Sequence, residues 1–219
     1  MKIYKSEIDS GLEDAIKASA SIQYASPVSI YIPSKKQKDS IKRLVVAQEN
    51  TLAEDKDQFD LYYLSSILVS TGWNKNDDVF DKSETWGAKD SPTNKQFNFM
   101  HDESDIIGHI TSSLVIDENG NEIQDSASVE KFDIATSAVL YNSWSSPELK
   151  ERMESIIAEI KEDKWFVSME CLFSDFDYAV ITPKNEHKVI SRDETSAFLT
   201  KHLRSYGGEG KYEGYTIGR

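Results

Sequence analysis

The sequence predicts an α+β fold of antiparallel strands with a few helices among them. Three observations point there. Apolar, β-branched and aromatic runs of strand length recur at 59–73, 107–116, 132–141 and 165–182. One of them stops at Asp117-Glu118-Asn119-Gly120-Asn121-Glu122, a hairpin signal because Asn-Gly adopts positive φ at low cost. Between the last two runs, the apolar residues change to helical spacing.

Taken in order, residues 1–27 are small and polar, and the weak helical spacing of Leu12, Ala15 and Ile16 predicts a peripheral segment or short helix before Pro27. Val28 to Ile32 reads as a short strand closed by Pro33. The charge-rich stretch 34–58 reads as a surface helix around Ile41, Leu44 and Val45, or as an excursion from the fold. Phe59 to Trp73 is a core strand running into the turn-forming residues 74–78. Residues 74–96 form an ordered loop or short helix anchored by Val79, Phe80 and Trp86.

After the 107–116 strand and its turn, Phe132 to Tyr141 forms another strand. Ser146-Pro147-Glu148 then opens a helix, with Ser as N-cap, Pro in the first turn and Glu at the positive end of the dipole. Its core face is Leu149, Met153, Ile156, Ile157 and Ile160. Strands at 165–173 and 176–182 follow, the second closed by Pro183. A second helix is expected over 193–205, capped by Ser191, with Ala197, Phe198 and Leu199 inside. Half of the ten glycines fall in the last 13 residues, where they serve either a close backbone approach or a flexible end.

At 219 residues with 38% apolar content, the chain has material for a single globular domain over 1–219, with a peripheral N-terminal segment (1–27) and a Gly-rich tail (206–219). A net charge of −13 argues against nucleic acid as a partner, because binding a phosphate backbone needs clustered Lys and Arg. Neither a membrane-length apolar run nor a signal-peptide core is present, so a soluble, intracellular protein without a membrane partner is expected. The single cysteine, Cys171, excludes an intrachain disulfide and reads as a small buried hydrophobe rather than a nucleophile.

Chemistry concentrates in two stretches. Phe97 to Ile123 sets His101 and His109 beside Asp102 and Asp105, and Lys164 to Pro183 sets Ser168 and then Asp177 inside aromatic-rich runs. Ser168 lies between Val167 and Met169, after Trp165-Phe166, where packing does not call for a small hydroxyl. A hydroxyl nucleophile needs a base within hydrogen-bond reach and a third group to orient that base. His101 is the candidate base and an acid on a neighbouring strand the candidate orienter. The two stretches are therefore expected to meet, with the His101 ring about 3 Å from the Ser168 hydroxyl or somewhat farther without substrate. A rival reading gives His101, Asp102, Asp105 and His109 to a metal ion, although their spacing does not follow the helical H-x-x-x-H pattern.

The run His101-Asp102-Glu103-Ser104-Asp105-Ile106-Ile107-Gly108-His109-Ile110 resembles the catalytic-histidine segment of the herpesvirus assemblin proteases. It also resembles the tailed-phage prohead maturation proteases, whose His-Asp and apolar-Gly pattern is followed by a D-x-x-G turn, matched here by Asp117 and Gly120. In both families the nucleophile is a serine on a later strand in the context of Val167-Ser168-Met169. The resemblance covers roughly residues 59–183. It implies an antiparallel, β-barrel-like core flanked by helices, a serine endopeptidase, and a site of Ser168, His101 and Asp177. Asp175, Asp193, Glu194 and His187 are rivals for the third place. Gly207-Gly208 is a candidate oxyanion loop, and Asp102 and His109 support the loop around His101.

The resemblance further implies scaffold and major capsid proteins as substrates, with self-cleavage, inside the procapsid in the host cytoplasm. It implies no cofactor and no metal, and a homodimer or higher oligomer. A chain ending on Lys211 to Arg219 is expected to be a truncated or self-processed form. The alternatives are an inactive capsid-assembly or scaffold protein with the protease fold, and a metal-dependent hydrolase using His101 and His109.

Overall fold

The computed structural model of the chain describes residues 1–18, 21–24, 61–142, 144–162 and 164–219. The expected strand at 28–32 and the charged stretch 34–58 lie outside the described residues. The N-terminal elements are α1 (Lys5–Asp9), α2 (Glu13–Ala18) and β1 (Ser21–Tyr24). Then come β2 (Leu61–Ser70), β3 (Gly72–Trp73), β4 (Val79–Phe80), α3 (Lys82–Gly87), β5 (Gln96–Asn98), β6 (Ile106–Ile116) and β7 (Asp133–Tyr141). Helix α4 (Pro147–Lys161) precedes β8 (Met169–Leu172), β9 (Tyr178–Ile181), β10 (His187–Ile190), β11 (Lys211–Tyr212) and β12 (Tyr215–Gly218). The pairing is antiparallel, which makes the fold α+β. The sheets run β2-β7-β6-β5 and β10-β9-β12-β11, with pairs β1-β8 and β3-β4, and among the described residues none closes into a barrel.

The chain divides into two compact units. One comprises the described parts of Ser26–Thr71 and Asp81–Ser168, built on the sheet β2-β7-β6-β5. Its central strand β7 is buried from Ile134 to Leu140, because β2 and β6 flank it and its small and apolar residues admit cover on both faces. Ile107 and Leu140 pack against Met153, Ile156 and Ile157 of α4. Phe132 and Ile134 pack with Val115, and Trp86 meets the Phe132 ring edge-on at 5.6 Å. Gly108 is required by this sheet, since a Cβ there would lie 2.0 Å from the Val139 carbonyl oxygen. Helix α4 begins as its sequence predicts, with Ser146 Oγ accepting the Leu149 N–H and Pro147 in the first turn. Leu149 itself is 37% exposed and leaves the expected core face, which starts one turn later at Met153.

The other unit comprises the described parts of Met1–Ala25, Gly72–Phe80 and Met169–Arg219. Tyr178 and Val180 of β9 pack with Leu199, Leu203 and Ile217. The N-terminal segment is not peripheral here, because Glu7 and Ile16 are fully buried and Tyr4 nearly so. Over 193–205 the expected α-helix is replaced by short 3-10 turns at Ala197–His202 and Arg204–Tyr206. Asp193 Oδ1 accepts the N–H groups of Thr195 and Ser196, as at a helix start, but the bonds that follow reach back three residues, from Leu199 N–H to Ser196 O (2.9 Å) and from Leu203 N–H to Thr200 O (3.1 Å), which winds the segment as 3-10 turns. Ser191 is not the cap; its carbonyl accepts the Ser196 hydroxyl. The glycine-rich tail serves close approach: a Cβ on Gly208 would lie 2.2 Å from the His202 carbonyl carbon, and one on Gly218 2.2 Å from the Asp77 carbonyl oxygen. Among the described residues no helix is long and apolar enough to cross a membrane.

Candidate functional site

His101 sits at the tip of the loop that joins β5 to β6. The Phe99 N–H donates to Asp105 O (2.9 Å), closing the loop's neck, and Asp102 N–H donates to Phe99 O (3.0 Å). Met100 and His101, the two central residues of that inner turn, both have positive φ, at 55° and 61°. This is the sign pattern of a type I′ turn, which ordinarily selects Gly and Asn. Each L-residue held there costs roughly 1–2 kcal/mol, so the surrounding contacts must hold the turn. Asp102 Oδ1 accepts both the N–H (2.9 Å) and the hydroxyl (2.6 Å) of Ser104. The Ser104 hydroxyl, and then its N–H, hold the Asp102 carboxyl below the usual carboxylate range.

Asp105 receives a two-pronged ion pair from α4, with Arg152 Nη1 at 3.0 Å from Oδ1 and Nη2 at 2.5 Å from Oδ2. The Arg152 guanidinium also lies over the Phe99 ring at 4.8 Å. His109 Nδ1 lies 3.1 Å from the Tyr141 hydroxyl across the β6–β7 ladder. Three of the four residues of the rival metal reading, Asp102, Asp105 and His109, thus have protein partners. Among the described residues no three His, Cys, Asp or Glu side chains gather into a group able to hold a metal ion.

Ser168 lies just before β8, not within it. Its arm leaves α4 through Lys164 N–H donating to Glu159 O (3.0 Å) and Trp165 Nε1–H donating to Glu159 Oε2 (2.6 Å). The Trp165 ring packs on Phe99 at 5.0 Å. The two chemistry-bearing stretches therefore meet, through Phe99 two residues before His101 and Trp165 three residues before Ser168. The Ser168 hydroxyl is shut off from solvent and makes no hydrogen bond among the described residues, so the His101 ring does not bond it in this state.

Asp177 belongs to the other compact unit, where its Oδ1 accepts the Arg192 N–H at 3.0 Å. Of its rivals, Asp175 pairs with Arg192 Nη1 at 2.8 Å, and Asp193 accepts the N–H groups that shape the following turn. Glu194 and His187 are exposed. Gly207 and Gly208 cannot act as oxyanion donors in this conformation, because their N–H groups are spent on Arg204 O (3.0 Å) and Leu203 O (2.9 Å). Burial pushes the Cys171 thiol up, away from thiolate chemistry.

Arg152, Glu159 and Trp165 escape a reading of the sequence. Arg152 and Glu159 are seven residues apart on one helix face, a visible spacing, but nothing local says which loop that face would hold. No protein-family model, curated protein or solved structure matches this chain.

Proposed function

We propose that the chain is a serine endopeptidase that cleaves scaffold and capsid proteins during phage procapsid maturation, and itself, with Ser168 as nucleophile, His101 as base and Asp177 as orienting acid. The observation that carries this reading is the buried Ser168 hydroxyl, unbonded among the described residues, on an arm packed against the His101 loop. A buried hydroxyl without a partner costs about 1–3 kcal/mol. Such orphaned groups call for a reason, and a nucleophile awaiting its base supplies one. The paired positive-φ turn under His101 supports it too, since strain of this kind collects at functional sites.

In the proposed reaction His101 takes the Ser168 proton as Oγ attacks the scissile carbonyl. It returns that proton to the leaving amine, and water then releases the acyl-enzyme. The role proposed for Asp177 is to hold the imidazole in its working tautomer. Catalytic hydrogen bonds are often long or unmade without substrate, so the His101–Ser168 bond is expected to close on binding. The fold we propose is the assemblin-like one, in the host cytoplasm inside the procapsid, with a homodimer or higher oligomer as the working form.

The absent His101–Ser168 bond also favours a second reading, an inactive capsid-assembly protein. Co-expression with the cognate scaffold and capsid proteins separates the two. Ser168→Ala and His101→Ala should each lower cleavage by about 10³-fold or more with the fold intact by circular dichroism. A chelator should leave cleavage unchanged. Wild-type protein that cuts neither partner nor itself would leave the assembly reading standing.

A further inference from the structure

We propose, on the basis of the peptidase reading above, that helix α4 is a positioning bracket that sets the His101–Ser168 geometry, with Arg152 gripping the base loop and Glu159 gripping the serine arm. The two residues are seven apart, two helical turns, so they project from one face about 10 Å from each other along the axis. The adjoining face is locked to the sheet by Met153, Ile156 and Ile157, which are 1%, 6% and 6% exposed. The bracket is therefore fixed to the rigid part of its unit.

Each grip falls where it controls the chemistry. Arg152 holds Asp105 by both carboxylate oxygens, and Asp105 O in turn accepts the Phe99 N–H that closes the neck of the loop. The same guanidinium lies over Phe99, so one side chain ties both ends of a loop whose central residues are in an unfavourable conformation. Glu159 fixes the arm twice, by its carbonyl to Lys164 N–H and by its carboxylate to the Trp165 indole. Phe99 touches the guanidinium and the indole alike and couples the two grips. Neither Arg152 nor Glu159 is a proposed acid, base or nucleophile; both act through the loops they hold.

The test follows phosphonylation of Ser168 by a fluorophosphonate probe, read by mass spectrometry. The Oγ–P bond forms, the P–F bond breaks, fluoride leaves and the serine proton passes to His101. Misplacing a reacting pair by about 1 Å costs on the order of 10²-fold, so Arg152→Ala and Glu159→Ala should slow labelling by about that factor. Glu159→Gln keeps an acceptor for the indole and should restore the rate, whereas Arg152→Lys lacks the planar fork and should not. With the scaffold protein as substrate, the loss should fall on kcat, with KM within about twofold. Independently of activity, Arg152→Ala should speed amide hydrogen exchange at Phe99, Asp102 and Asp105 and leave Ile156 and Ile157 unchanged.

Wild-type labelling rates in Arg152→Ala and Glu159→Ala, with Ser168→Ala unlabelled, would overturn the bracket and leave the peptidase reading intact. Failure of the wild type itself to label, together with undiminished cleavage by Ser168→Ala, would remove Ser168 as the nucleophile and with it the serine-peptidase reading instead. Unchanged loop exchange in Arg152→Ala overturns the bracket in either case.

Discussion

The two compact units hold themselves together by different means. In the unit built on β2-β7-β6-β5, the centre is apolar: Leu140 is fully buried among Ile107, Met153, Ile156 and Ile157. In the other, a buried ion pair joins residues 185 apart in sequence, Glu7 and Arg192, with both side chains at 0% exposure. Arg192 donates to Glu7 Oε1 (2.9 Å) and Oε2 (2.7 Å), to the Lys2 carbonyl (2.8 Å) and to Asp175 (2.8 Å), and its guanidinium lies near the Tyr4 and Phe176 rings. Thr200 donates its one hydroxyl hydrogen to Glu7 Oε1 (2.6 Å), so the Tyr178 hydroxyl, 2.6 Å from Thr200, is the donor in that pair. An apolar core tolerates approximate replacement, whereas a buried charge network is stable only when complete. The difference lies in how each unit should fail.

The largest effect is expected from removing one partner of the network. Arg192→Leu leaves the Glu7 carboxylate buried without its counter-charge and should cost about 3–5 kcal/mol in denaturant unfolding. The double substitution Glu7→Leu with Arg192→Leu should recover much of that loss. A double variant as unstable as the single one would mean that packing, not charge pairing, holds this unit.

In the apolar unit Leu140→Ala should cost about 3 kcal/mol, within the usual range for a fully buried leucine. Here no second substitution of the ion-pair kind should rescue, and a loss below about 1 kcal/mol would show that the site collapses around the gap.

The smallest effect separates the units by pH. Burial pushes the Tyr178 hydroxyl up to about 12, against about 10 for an unfolded tyrosine. Between those values the folded state keeps a proton that the unfolded state has lost, so stability should fall as pH rises from about 10 to about 12. Tyr178→Phe should cost about 1 kcal/mol near neutrality, for the hydrogen bond to Thr200, and should flatten that alkaline decline. An unchanged alkaline slope in the variant would assign the decline to other groups.

Much of the apolar unit was legible beforehand, because its signals are local. Alternation and β-branched content marked β2, β6 and β7, and Ser146-Pro147 marked the start of α4. The ion-pair unit was far less so. Its N-terminal segment reads as peripheral because Glu7 looks like any surface acid until Arg192 arrives to bury it. The turns at 197–206 read as an α-helix because apolar spacing does not distinguish hydrogen bonds that reach back four residues from the three-residue ones made here.

For the candidate site the division is similar. By itself, the sequence determined which stretches gather candidate chemistry, those of His101 and of Ser168 and Asp177, because residue type and strand patterning are written locally. Only the tertiary structure decided that the meeting runs through Phe99 and Trp165, that His101 rides on a turn of two left-handed residues, and that the Ser168 hydroxyl is buried without a partner among the described residues. The reason is physical. A Met-His pair has no intrinsic preference for positive φ, and a serine no intrinsic preference for isolation, so both conditions are imposed by contacts between residues far apart in sequence.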